Sequence, residues 1–489
     1  EIPVGLHTRW RATGGVYANP PADVWKFRDH TGGLGGGDVT TSYGTDEVRG
    51  ALTLGARHSD GYREQDQSDQ WETSGRAEWH PAPGTQVTAA GAWTSHQYDV
   101  FPTWCVPGAC DTRGQAFQPF RIDTSSRGSY TRSDKGFVFA TLERTVSPRL
   151  NWLARGSWVR THFTDVTPTD WGVSNRLGTE LRGTLVAPER ARVVTAGAEG
   201  TRSDVTSDIF RTHTEVSGAA YAEVEQGVGS ARVTAGARVD AGAVDGAARA
   251  AVVSPRVGAV FPTSWGAWRA SIARGFRAPT LAERFVTTRA FGFQVIPNPA
   301  LDPETAWSVE LGDAAALRAW GRLDAAVFWT EARQLIEPVL RSQDTIDFEN
   351  VARARLRGLD ASLTATPFTP ALTVSGAYLF LDARDLKTDS ALAFRPKHLV
   401  TVSADYRWRS FSGGADFRYS SRIERIELEA VYGRDPRIAA KVLDLRAGWQ
   451  RGPFAARLLV ANALNYIYNL IPRTLEPVRT LSVVLTWSD

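Results

Sequence analysis

The segment "LVTVSADYRW" (Leu399–Trp408) alternates strictly. Val400, Val402, Ala404, Tyr406 and Trp408 fall on one face of an extended chain, with Thr401, Ser403, Asp405 and Arg407 on the other. Successive side chains of a strand point to opposite faces, so this is a strand with one greasy side and one wet side. "FSGGADFRYS" (Phe411–Ser420) sets Phe411, Ala415, Phe417 and Tyr419 against Asp416 and Arg418, and "KVLDLRAGWQ" (Lys441–Gln450) sets Leu443, Leu445 and Trp449 against Asp444 and Arg446. "LNWLARGSW" (Leu150–Trp158) and the run Leu481, Val483, Leu485, Trp487 repeat the pattern. The apolar faces finish in Trp or Tyr, as an aromatic girdle at a membrane interface would. The polar faces carry Asp, Arg and Thr, as the wall of a water-filled lumen would. About ten residues suffice for a tilted strand to cross lipid. The expected fold is all-β: a transmembrane antiparallel β-barrel, with a soluble all-β array as the alternative.

The chain has 489 residues, 42% hydrophobic and 22% charged, which excludes a disordered chain. A formal net charge of +3 is too small to argue for a nucleic-acid partner. No apolar run is long enough for a membrane-spanning helix, and the negative mean hydropathy is compatible with alternating membrane strands. Of the two cysteines, Cys105 and Cys110 in "TWCVPGACD" have Pro107 and Gly108 between them. They read as a loop disulfide in an oxidising compartment.

Short and long connections alternate along the chain. Short ones fall at 44–46, 81–85, 147–149, 187–190, 226–230, 262–266, 317–321, 366–370, 409 and 451–453, and notable long ones at 100–133, 277–304, 335–349 and 424–438. Short turns on one rim and long loops on the other place the short rim in the periplasm and the long loops outside. From a first strand within 5–18 to a last at 478–488, the count is about 22 strands in a single barrel domain spanning 1–489. A barrel of that width has a lumen that side chains cannot fill, so a plug is expected.

The stretch "ARGFRAPTLAERF" (Ala273–Phe285) is a strand leaving the membrane, with Trp268, Ala270 and Ile272 before it facing lipid and Pro279 ending ladder pairing. It resembles the "GFRAPTL-E-F/Y" signature of TonB-dependent outer-membrane receptors through Gly275, Phe276, Arg277, Pro279 and Glu283. "NPALDPETAWSVELG" (Asn298–Gly312, with Pro299 and Glu310) and "ENVARARLRGLDASL" (Glu349–Leu363, with Asn350 and Gly358) are similar to two further segments of that family. "FRPKHLVTVSADYRW" (Phe394–Trp408, with Pro396 and His398) and "VANALNYIYNL" (Val460–Leu470, with Asn462) are similar to two more. The resemblance implies an integral outer-membrane barrel that takes up a scarce small ligand, such as a siderophore or vitamin, through extracellular loops and a plugged lumen. It also implies energisation by the TonB complex acting on the plug. A plug and TonB-pairing box are not evident in this chain, where residues 1–35 would hold the first strand, the first loop and, in "RATGGVYANP" (Arg11–Pro20), the end of a plug-to-barrel junction. The partner expectations are therefore the lipid bilayer, a small ligand, TonB through a plug, and a separate plug or other partner polypeptide. The alternative is a naturally plugless barrel serving as scaffold or export conduit.

Candidate ligand contacts are Arg274 and Arg277, which also suit a rim ion pair with Glu283, together with Phe291, Phe293, Arg341 and Trp104 beside the cysteines. Glu64, Asp66 and Asp69 in "REQDQSDQ" offer hard oxygen ligands for a loop calcium, against a plain solvated acidic loop; otherwise no cofactor is expected. The eight histidines show no pair at metal-ligand spacing. No nucleophile elbow, zincin motif or phosphate-binding loop appears, and "GGLGGGD" (Gly32–Asp38) reads as a flexible extracellular loop. No enzymatic site is expected.

Overall fold

In the computed structural model, the described residues are 2–105, 118–166, 169–290, 293–318, 320–342, 345–351, 353–426, 437–470 and 473–489. They form a 22-stranded antiparallel sheet that closes on itself. Neighbours in sequence pair as hairpins, and the first barrel strand, Gly5–Tyr17, zips to the last, Thr480–Ser488, from Arg9↔Ser488 to Tyr17↔Thr480. Arg11–Tyr17, the expected end of a junction, are thus part of the closing seam. Closure satisfies every strand with a partner on both sides, which lipid demands because it offers no water to an unpaired backbone.

The alternation read from Leu399–Trp408 is the wall's inside–outside code. Val402, Tyr406 and Trp408 are exposed on the outer face, as are Trp268 and Ile272 of the strand Gly266–Arg277. The wet residues turn inward and pair with one another, across strands and, for Arg238 with Asp240, along one strand. Arg11 meets Asp38 at 2.7 Å, and Arg238 lies 2.8 Å from Glu199 and 2.9 Å from Asp240. Arg269 lies 2.7 Å from Asp324 and 3.2 Å from Glu310, and Arg446 is 2.6 Å from Asp405. Each such half-exposed pair contributes only ~0–1 kcal/mol. Together they line the lumen with charges that already answer one another.

Two expectations are corrected. Gly33–Gly44 is a barrel strand, so "GGLGGGD" is mostly not a flexible loop. Its glycines allow close approach: a Cβ at Gly36 would sit 2.5 Å from the Ala56 carbonyl oxygen. The extracellular connections are also not uniformly long. The strands Arg211–Val228, Ala231–Val244 and Ala247–Thr263 follow one another through short turns at both rims. The extracellular turn at Asp245–Gly246 has φ of 53° and 80°, the left-handed pair that a two-residue hairpin requires.

Candidate functional site

At the extracellular rim around the closing seam, parts of four loops converge on one apolar cluster, a partial roof. Phe120 is fully buried, with Leu475 and Val478 beside it. Tyr17, Trp25, Phe27, Tyr62, Trp104 and Ile467 pack around them. Phe27 stacks on Phe120 at 6.3 Å and Trp25 tilts against it at 6.2 Å. Polar ties lock this roof together. The Tyr62 hydroxyl donates to the Leu475 carbonyl at 2.6 Å, and Arg63 lies over the Tyr62 and Phe101 rings at 4.7 and 4.3 Å. The Gln65 side chain donates to the carbonyls of Val100, Ser126 and Ser129 and accepts from the Gly128 amide. Burial pushes the Tyr62 phenol up, and burial likewise pushes Glu476 up, with Arg63 opposing.

"REQDQSDQ" is a set of loop ties. Glu64 accepts from the Ile122 amide at 3.1 Å, Asp66 pairs with Arg63 at 2.6 Å, and Asp69 faces His58 at 2.7 Å. The three carboxylates serve different partners. Among the described residues, no group of three His, Cys, Asp or Glu is placed to hold a metal ion. Trp104 sits in the roof core, its backbone amide donating to Arg473 and its carbonyl accepting from the Arg473 side chain at 2.6 Å. Cys105 is fully buried, while Cys110 lies outside the described residues.

A second loop assembly rises from a different arc of the rim, between the strands Gly266–Arg277 and Ala354–Ala365, with a four-stranded sheet formed by Thr288–Ala290, Phe293–Val295, Thr345–Val351 and Leu335–Leu340. Phe291 lies outside the described residues, and only the backbone of Phe293 is described. Arg277 grips Glu304 through two bonds of 2.7 Å and reaches Glu283 at 2.9 Å. Thr280 and Glu283 cap the short helix Leu281–Phe285 reciprocally. Burial alone would raise Glu283, but hydrogen bonds from Arg277 and Thr280 outweigh it and hold the carboxyl below its usual range. Arg274 does not join this network; its guanidinium donates to the Val253 carbonyl. Arg341 is paired with Asp347 at 3.1 Å and Glu349 at 2.9 Å.

The signature positions largely anchor loops to the rim. Asn298 donates to the Phe348 carbonyl at 2.7 Å, beside the turn through Pro299. Asn350 accepts from the Asp302 amide at 2.8 Å and donates to the carbonyls of Asp302 and Gln334, both at 2.9 Å. Buried Asn462 holds Tyr466 and Pro477, Pro396 bridges to Ile423, and the His398 amide donates to Ser421. Pro279 is buried at the loop base, and Phe276 falls on the outer face of its strand. Glu310 belongs to the wall pair with Arg269. Gly358 leaves room for Phe328, since a Cβ there would lie 2.0 Å from the Phe380 carbonyl oxygen and 2.7 Å from the ring. A Cβ at Gly275 would meet nothing within 4 Å. The roof core built on Phe120 was missed in the sequence, because its members are dispersed from Tyr17 to Val478 with no local pattern.

A closed barrel of this size, apolar outside and polar within, with folded loops over one mouth, defines an integral outer-membrane protein of receptor type. Residues 21–470 match the family described as "TonB dependent receptor-like, beta-barrel", and the chain belongs to that family. In fold it is similar to the siderophore receptor PirA from Pseudomonas aeruginosa, with a TM-score of 0.76 and 16% identity, covering 100% of this chain and 81% of that one. It is also similar to the copper transporter OprC, with a TM-score of 0.79 and 14% identity, again covering 100% and 81%. A stretch of 94 residues is 30% identical to hemoglobin-binding protein A of Haemophilus influenzae, covering 19% of this chain and 9% of that protein. The chain spans far less than two thirds of that relative's length.

Proposed function

We propose that this protein is an outer-membrane receptor that captures a scarce, metal-bearing small ligand, such as a ferric siderophore, at its extracellular loops and passes it inward through the barrel. The observation that carries this reading is the roof. Loops from distant parts of the sequence share one buried aromatic core at the rim of a wide lumen, a surface built to be shaped. A tube that only conducts needs no such construction. The wall supports the same reading, since its internally paired charges leave a polar path without a strong net field. Movement through the lumen is driven by the TonB complex acting on a plug that the barrel encloses, whether or not the same polypeptide supplies it. The names of similar proteins, a siderophore receptor, a copper transporter and a hemoglobin-binding protein, favour a metal-linked cargo.

The test is growth under iron limitation of a Gram-negative strain stripped of its own receptors and expressing the full-length gene. Ferric catecholates, ferric hydroxamates, haem and cobalamin are supplied one at a time, with and without TonB. TonB-dependent rescue by at least one compound is expected. The reading fails if none rescues while the purified full-length protein passes a large steady current in planar bilayers, the behaviour of a conduit closed by a partner.

A further inference from the structure

The outer face of the wall carries a feature that ligand uptake does not use. Across the strands Glu304–Leu317, Gly321–Arg333, Ala354–Ala365 and Leu372–Asp385, register places residues in rows around the barrel. One row reads Leu311, Val327, Leu359, Phe380 and lies in the apolar belt. Four residues toward the extracellular rim on the same face, the row reads Trp307, Glu331, Arg355, Arg384. Between them lie Trp329, Arg357 and Asp382, in a row that starts at Val309. The change from aliphatic to guanidinium is abrupt, and it falls where lipid tails give way to headgroups.

Charged side chains on a lipid-facing surface are costly unless they meet partners. Here the partners inside the protein do not suffice. Arg357 and Arg384 share the carboxylate of Asp382, at 2.9 and 2.8 Å; Arg384 also reaches Glu424 at 4.0 Å, an acid already taken by Lys397 at 3.5 Å, and Arg353 takes Glu331 at 3.3 Å. Arg355 forms no ion pair among the described residues, and its Nε is buried without a hydrogen-bond partner. Its guanidinium lies over Trp329, 5.3 Å from the ring centroid, and that of Arg357 lies 5.7 Å from the same centroid. Stacking on an indole fixes the plane of a guanidinium while leaving its outer N–H groups free for a bidentate acceptor.

We propose that this outward cluster, with Arg353, Arg355 and Arg357 around Trp329, is a docking site for the phosphorylated headgroup of an outer-leaflet glycolipid, the lipopolysaccharide that surrounds such a barrel. Phosphate matches the guanidinium fork and supplies the missing negative charge. The acyl chains of the same molecule lie along the row of Leu311, Val327 and Leu359 below. The site is independent of the uptake reading, since it faces away from lumen and roof.

The experiment uses the full-length protein in detergent and measures, by native mass spectrometry, its affinity for lipid A and for enzymatically dephosphorylated lipid A. Wild type is expected to retain the phosphorylated form at least roughly tenfold more tightly, and the double variant R355Q/R357Q to lose that preference. R192Q, which removes one guanidinium at the periplasmic rim, is expected to keep it. The proposal is overturned if wild type does not discriminate the two lipids, or if the folded double variant discriminates as wild type does. Heat-modifiable migration on gels reports folding. Should the double variant fail to fold, the wild-type comparison of the two lipids decides alone.

Discussion

Replacing Phe120 with Ala separates the stability of the roof from that of the barrel. Phe120 is completely buried, stacks on Phe27, meets Trp25 and contacts Leu475 and Val478, so truncation leaves a cavity at the point where the loops meet. A buried Phe→Ala change costs about 3–5 kcal/mol. None of that loss falls on the strand ladder, so it appears as local opening of the roof. At about 1.4 kcal/mol per tenfold, the opening equilibrium shifts by roughly two to three and a half orders of magnitude. Amide hydrogen exchange followed by mass spectrometry, on protein in detergent, reads this directly. Peptides covering 18–32 and 473–479 should exchange faster by that factor, while those from Thr480–Ser488 and Gly5–Tyr17 stay protected and heat-modifiable migration is unchanged. The reasoning is refuted if roof exchange is unaltered, or if the barrel loosens in step with the roof.

Asn350→Ala removes three hydrogen bonds that join the loop at Asp302 to the one at Gln334, and should cost the second loop assembly about 2–4 kcal/mol. Faster proteolysis within 278–303, with the barrel intact, is the readout. Gly358→Val forces a Cβ against the Phe380 carbonyl and the Phe328 ring, and overpacking of about 1–3 kcal/mol should lower the unfolding temperature of the barrel itself. Glu476 has its pKa raised by burial, so the stability it contributes is complete below the unfolded Glu value of about 4.3 and is lost as pH rises through the higher folded value. Exchange protection of 473–479 should therefore fall with rising pH, and Glu476→Gln should flatten that fall. Glu283 works in the opposite sense: its lowered pKa gives stability present above the ordinary value and lost on acidification, so the loop at Leu281–Phe285 should loosen in acid.

The barrel was legible because a membrane wall writes its two solvents into the chain residue by residue. Val402, Tyr406 and Trp408 could only be partnered by lipid if Asp405 and Arg407 faced water. Where side chains are small, the code fades. Gly33–Gly37 have no alternation to read, and the hairpin at Asp245–Gly246 is buried in an Ala-rich run, although its Asp-Gly pair is itself a turn signal. The ring of rim anchors was located by resemblance but not understood, since Asn350 and Asn298 act on backbone groups that no sequence pattern names. The roof was invisible for another reason. Tyr62 and Leu475 meet across nearly the whole chain, and only closure of the barrel brings their loops together.

That closure has a bearing on biogenesis. Because the strand Gly5–Tyr17 finds its second neighbour only in Thr480–Ser488, the earliest strand must wait, half-dressed, until the nine residues of that strand arrive. Until then two raw edges face each other, and the bilayer tolerates neither, each orphaned amide or carbonyl carrying a penalty of several kcal/mol. Insertion therefore has a single latch, and a chain shortened by its final strand would have no stable place in the membrane at all.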